Sequence, residues 1–139
     1  MNSNDAVTYM MDNDAFSQWM GIELEEVEEG QVTLKMKVRE EMLNGFYILH
    51  GGITFALADS AMAFAANSHG QLSVVTDAHI QFPNAAQSGE ILIAKAKETH
   101  RSRKKAYYEV LIYRQEDQTI VAKYQGSTYI TSKPNPPQS

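Results

Sequence analysis

Between Asn44 and Gly70 the chain reads NGFYILHGGITFALADSAMAFAANSHG, and this stretch limits the possible folds most. From His50 to Asn67 there is no proline, and Ala, Leu, Met and Phe dominate. The spacing predicts one helix of about five turns, roughly 27 Å long. Its apolar residues (Ile53, Phe55, Ala56, Leu57, Ala58, Ala61, Met62, Ala63, Phe64, Ala65 and Ala66) take almost every direction around the axis. Such a helix must be covered on most of its sides. Asp59 lies near its middle, and a carboxylate there costs desolvation energy unless a partner or a reaction uses it. On burial alone, Asp59 is either a structural acid with a hidden partner or a working one.

Gly51 and Gly52 open the helix directly after His50. They leave backbone N–H groups of the first turn uncovered by any Cβ, where unpaired donors and the positive end of the helix dipole gather. An oxyanion fits there. An isolated pair of glycines more commonly lets another backbone pass close. The combination favours the binding role: exposed donors at a helix mouth, a carboxylate further along, and the Asn44 amide just upstream. Gly51 and Asp59 are eight residues apart, hence about 12 Å along the axis. A reacting carbonyl and its attacking water must lie about 3 Å apart. One helix therefore does not easily present both groups to the same carbon. Two antiparallel copies do, which predicts a symmetric dimer with two equivalent sites.

The 139 residues suffice for one domain with a substantial core. With 12 basic and 17 acidic residues the formal charge is −5, which argues against a nucleic-acid binder with a broadly basic surface. There is no cysteine, which removes thiol catalysis, disulfides and sulfur-ligated metals, and makes a cytoplasmic location the expectation. No leader-like or membrane-spanning apolar run is present in the sequence.

Along the chain, residues 1–21 read as a helical segment, with Asp14 as the cap of a short helix ending at Gly21. Ile22 to Glu28 and Gln31 to Arg39 form a hairpin turning at Glu29 and Gly30. In its second arm Val32, Leu34, Met36 and Val38 alternate with Thr33, Lys35, Lys37 and Arg39. After the long helix four strands follow: Ser73 to Phe82, Glu90 to Thr99, Ala106 to Arg114, and Thr119 to Thr131. Residues 132–139, with Pro134, Pro136 and Pro137, are expected to be a disordered tail. Neighbouring strands with brief connections imply an antiparallel sheet curled around the helix, an α+β fold. The outer face and edge of that sheet are natural places for a partner subunit.

Asn44-Gly45, four residues, His50-Gly51-Gly52, six residues and Asp59, followed by an Ala-rich helix and four strands, resembles the hotdog-fold thioesterases, in their phenylacetate-degradation (PaaI-like) branch. The resemblance covers roughly residues 15 to 131. It implies a single hotdog domain over 1–131 that hydrolyses an acyl- or aryl-acyl-CoA to the acid and free CoA, with no metal and no cofactor beyond the CoA of the substrate. Under it, the Gly51 N–H and Asn44 polarise the thioester carbonyl, His50 shapes the turn, and Gly52 contacts substrate. Asp59 from the opposite subunit activates water or attacks directly. Some members orient the water with a serine or threonine on the strand after the helix; the corresponding residue here is Thr76 or Val75, and a one-residue slip exchanges their faces. A homodimer, or a dimer of dimers, is the implied assembly, with neither nucleic acid nor membrane as partner.

Other groups carry weaker signals. Asp77 and His79 share one strand face, but His50, His69, His79 and His100 show no short ligand spacing, so no metal site is expected. Arg101, Arg103, Lys104 and Lys105 surround a strand turn, either as a solvated hairpin or as a clamp for the phosphates of CoA. Ser60 lacks the nucleophile elbow of serine hydrolases. The rival readings are an acyl-thioester hydratase or dehydratase of the same fold, and a non-catalytic acyl-CoA binding module.

Overall fold

The computed structural model describes residues 2–137. Two helices come first, α1 (Ser3–Asp12) and α2 (Ala15–Trp19). α1 starts from a reciprocal cap in which the Asp5 N–H donates to Asn2 Oδ1 (2.9 Å) and the Asn2 N–H to Asp5 Oδ2 (3.4 Å). Asp14 caps α2, accepting from the Ser17 N–H at 2.9 Å and the Ser17 hydroxyl at 2.7 Å. The helical segment is thus two helices broken at Asn13 and Asp14, since a strong new cap there competes with continuation of the first.

The hairpin β1 (Glu23–Glu28) and β2 (Gln31–Lys37) turns at Gly30, whose φ of +77° suits a residue without a Cβ. Val32, Leu34 and Met36 of β2 are buried, as the alternation predicts. After a 3-10 turn at Glu40–Met42 comes the long helix α3 (Gly51–Asn67), then β3 (Gln71–Gln81), β4 (Ile91–Arg101), β5 (Lys105–Arg114) and β6 (Ile120–Pro134). All neighbours in the sheet are antiparallel, in the order β1-β2-β4-β5-β6-β3. α3 lies against the sheet and buries Leu57, Ala58, Ala61, Met62, Phe64, Ala65 and Ala66 in a core shared with Leu34, Met36, Leu92, Ala94 and Ile112. Gly52, Ala56, Asp59 and Ala63 form the flank of α3 that the chain leaves exposed or half-exposed, at helical spacing.

The two ends of α3 are treated differently. At the C-terminal end Asn67 Nδ2 donates to the Ala63 and Ser73 carbonyls (2.8 and 3.1 Å), and its Oδ1 accepts the Ser73 N–H at 2.8 Å. The Ser68 hydroxyl donates to the Ala65 carbonyl and accepts the Gly30 N–H. His69 stands between two carboxylates, with Glu29 and Glu98 each 2.7 Å from a ring nitrogen, an arrangement that a ring carrying both protons satisfies. The last carbonyls and the turns around them are therefore held by side chains.

The tail expected from 132 onward is instead ordered through its first part. β6 runs to Pro134, and Asn135 is buried, donating to the Gly70 carbonyl from its backbone (2.9 Å) and to the Asn67 carbonyl from its side chain (3.0 Å). Open acceptors at the helix end give this segment somewhere to bind. Residues 138 and 139 lie outside the described residues.

Among the described residues, β3 has β6 on one side and no strand on the other. Its residues Leu72, Val74 and Val75 are exposed, as is Phe82 just beyond it. Two register shifts interrupt its pairing, one of them between Val75 and Asp77, so Thr76 sits on a bulge.

Candidate active site

The N-terminal end of α3 is open where its other end is closed. His50 is the N-cap, in extended conformation with φ −62° and ψ 132°, and its Nδ1 accepts the Gly52 N–H at 2.8 Å. Nε2 then carries the ring proton. The His50 carbonyl accepts from Ile53 and Thr54, and its N–H donates to the Met42 carbonyl. The Gly51 N–H makes no hydrogen bond among the described residues. It is the unused donor of the first turn, at the positive end of the dipole. Gly52 is therefore occupied in shaping the turn, and Gly51 is the glycine with a donor to give.

Asn44 is held beside this mouth by the loop it organises. Its Oδ1 accepts the N–H groups of Phe46 (2.8 Å) and Ile48 (3.4 Å). The backbone of the same loop closes through the Asn44 N–H to the Ile48 carbonyl and the Tyr47 N–H to the Asn44 carbonyl, with Tyr47 at φ +63°. With the oxygen used, Nδ2 is the end of the amide left to donate. Asn44 and Gly51 line one cavity of about 280 Å³ with Thr54 and Phe82. The sequence-predicted donors are thus together.

Asp59 is elsewhere. It sits two turns further along α3, half-buried rather than enclosed, and is absent from the lining of the Asn44–Gly51 cavity. Its flank of the helix is the one that the sheet covers only in part. The Tyr124 hydroxyl donates to Asp59 Oδ1 at 2.9 Å. Tyr124 is buried on β6, and the Phe55 ring meets it edge-on, with centroids 5.6 Å apart. Burial first, then the charge and hydrogen bond of Asp59 and the charge of Asp77, push the Tyr124 phenol well above its ordinary value. Sequence reasoning missed Tyr124. The signal was available: Ala122, Tyr124, Thr128 and Ile130 alternate inward on β6, and a buried tyrosine needs a partner for its hydroxyl.

Tyr108, buried on β5, donates to Glu98 Oε2 at 2.7 Å and is likewise pushed up, by burial and then by the Glu98 hydrogen bond and charge. The chain has seven tyrosines. Stability gained from keeping these two neutral is full below the ordinary tyrosine value of 10.0 and is lost as pH rises above it. In a spectrophotometric titration Tyr108 and Tyr124 are expected to ionise only on alkaline unfolding. Full ionisation while the circular dichroism stays native would contradict this.

Thr76, on its bulge, donates to the Ser127 carbonyl at 3.1 Å and lies 2.8 Å from the Ser127 hydroxyl. Its oxygen is engaged with β6. Val75 points to the helix side of β3 by register, paired with Thr128. Arg101 turns inward, donating to Gln71 Oε1 at 3.0 Å, while Arg103, Lys104 and Lys105 are exposed on the β4–β5 turn. That turn is at the C-terminal end of α3, as the Arg101–Gln71 bond requires, so within one chain it is remote from Gly51. Asp77 and His79 line an outer-face cavity of about 400 Å³ with Tyr107 and Glu109. Among the described residues no three of His, Cys, Asp and Glu are grouped to hold a metal. No helix among them is long and apolar enough to cross a membrane.

The family model described as the thioesterase superfamily matches residues 46–121. Acyl-coenzyme A thioesterase PaaI of Escherichia coli K12 is 35% identical over 120 residues, covering 86% of this chain and 85% of its own. The solved structure of the E. coli PaaI protein from the phenylacetic acid degradation operon matches with a TM-score of 0.92 at 32% identity, covering 95% of each chain. A hypothetical thioesterase protein of Streptococcus pneumoniae, solved with coenzyme A, matches with a TM-score of 0.81 at 28% identity, covering 86% of this chain and 93% of its own. The helix mouth, the six-stranded sheet and these likenesses agree: the chain belongs to the thioesterase superfamily, as a PaaI-like thioesterase on the hotdog fold.

Proposed function

We propose that this protein hydrolyses acyl-CoA thioesters at two equivalent sites of a homodimer, each made from Gly51 and Asn44 of one subunit and Asp59 of the other. The observation that carries this is the unused N–H of Gly51, a residue that lines the same cavity as Asn44, an arrangement suited to a developing oxyanion. Water adds to the thioester carbonyl carbon while Asp59 takes its proton. The oxyanion is held by the Gly51 N–H and Asn44 Nδ2. The C–S bond then breaks, and the proton returns from Asp59 to the CoA sulfur, leaving the carboxylic acid and the thiol.

The dimer follows from distance. Asp59 is about 12 Å along the axis from Gly51 on its own helix, too far to serve the same carbon. Antiparallel pairing of two β3 edges around a two-fold axis covers Leu72, Val74 and Val75 and lays the two α3 helices antiparallel on one side. The same symmetry carries the basic turn of one subunit, Arg101 to Lys105, toward the partner's helix mouth, where its charges suit the phosphates of CoA. Coenzyme A bound to the related S. pneumoniae protein supports that ligand class. The outer face of the sheet, where Tyr107, Leu111 and Tyr129 are exposed, is the surface we infer for a dimer of dimers, and the setting we infer is cytoplasmic.

The test is thiol release from a panel of aryl-acetyl-, benzoyl- and straight-chain acyl-CoAs. Release well above background from at least one class is expected, with the preferred class naming the acyl group. Background rates across the whole panel would leave acyl-CoA binding without hydrolysis as the better account.

A further inference from the structure

We infer that Tyr124 is a positioning residue for the reaction: its hydroxyl pins one oxygen of Asp59, so that the other is held at a fixed place for the attacking water. This rests on the catalytic reading of Asp59 given above.

The geometry comes from how α3 seats on β6. Phe55, Asp59 and Met62 follow one another at helical spacing of four and three residues, a single stripe along α3. Opposite them, Tyr124 and Gly126 are two apart on β6 and so share its helix-facing side. Gly126 makes the notch. A Cβ there would lie 2.5 Å from Met62 Sδ and 3.1 Å from the Asp77 carbonyl oxygen. Without it, α3 sits low on the strand at Met62, which sets the height of Asp59 over Tyr124. The edge-on Phe55 ring holds the tyrosine from the turn before.

The hydrogen bond from Tyr124 then does something that burial does not. Asp59 lies on the half-exposed flank of α3, where a carboxylate is otherwise free to rotate between rotamers. With Oδ1 accepting the phenol proton at 2.9 Å, Oδ2 makes no hydrogen bond among the described residues. One oxygen anchors and the other is left for the water. Tyr124 has almost no exposure, so water does not compete for that bond. A group fixed this way by a rigid support is in place before the substrate arrives.

The experiment compares Tyr124→Phe, which removes the one hydroxyl and keeps the ring, with Tyr124→p-aminophenylalanine, which returns a donor at the same place. On the best acyl-CoA of the panel, Tyr124→Phe is expected to lower kcat by about 10- to 100-fold. KM and affinity for free CoA should stay within about twofold. The p-aminophenylalanine variant should recover most of the kcat. A wild-type kcat in Tyr124→Phe overturns the inference. So does a loss shared by both variants, or one that falls equally on kcat, CoA affinity and thermal midpoint, since that is the pattern of a merely structural tyrosine. If Asp59→Asn is itself fully active, the catalytic reading fails; if Asp59→Asn is inactive and Tyr124→Phe is not, only the positioning role fails.

Discussion

Replacing Asp59 by Asn is expected to lower the turnover of acyl-CoA by about a thousandfold, within the range that a positioned acid–base group contributes. Asn has the same shape as Asp and keeps an oxygen for the Tyr124 hydroxyl, so the bond that ties α3 to β6 has a replacement acceptor. The amide cannot take a proton from water. Fold and turnover should therefore part company: circular dichroism and thermal midpoint near those of the wild type, with thiol release close to background. Binding of free CoA should persist, because the basic turn and the helix mouth are unaltered. A variant that turns over at a tenth of the wild-type rate or faster would remove Asp59 from the chemistry.

The second large effect is a gain. Gly51 is the first residue of α3, a position at which proline is tolerated because its missing N–H had no partner within the helix. The residue before it, His50, is already extended, as a residue preceding proline prefers to be. Gly51→Pro thus deletes the proposed oxyanion donor and should leave the helix intact, and loss of one such donor typically costs about 10²- to 10³-fold. Each variant alone is expected to keep about a hundredth of the wild-type activity or less. A heterodimer of one Gly51→Pro chain and one Asp59→Asn chain has an intact Gly51 facing an intact Asp59 at one of its two sites. Purified through two different tags, it should recover about half of the wild-type activity per dimer. Sites contained within single subunits would both stay defective, and the heterodimer would be as inactive as its parents.

Much of this arrangement is legible in the chain because its decisive signals are local. The apolar run with H-G-G at its start defines α3 to within a residue, and the alternation of Val32, Leu34 and Met36 defines the buried face of β2. Gly51 and Asn44 come together because they are seven residues apart on either side of one tight loop. What the sequence hid depends on pairing between distant strands. Tyr124 reaches Asp59 across 65 positions, and His69 lies between Glu29 and Glu98, contacts that only the strand order creates. The ordered end of β6 was hidden for the same reason. Its prolines suggest a free tail, whereas the acceptors that hold Asn135 belong to the end of α3 and the turn after it. The sequence suggests an enclosed Asp59 because the helix is apolar nearly all round, and apolarity on the Ala56–Ala63 flank does not say whether its own chain covers it.

With the proposed two-subunit site, the bare outer edge of β3 would tie catalysis to mass action. In that assembly a monomer would carry both halves of the machinery in places that do not meet, so reactive sites would exist only in proportion to paired chains. Dilution would then act as an inhibitor, and an enzyme of this design would be more active per molecule in a crowded, well-expressed state than at trace levels. Substitutions at the exposed Leu72 or Val74, neither of which lines the Asn44–Gly51 cavity, would then be felt as lost activity through a weakened pair. For inheritance and for engineering alike, the proposed pairing makes the rim of the sheet part of the active site.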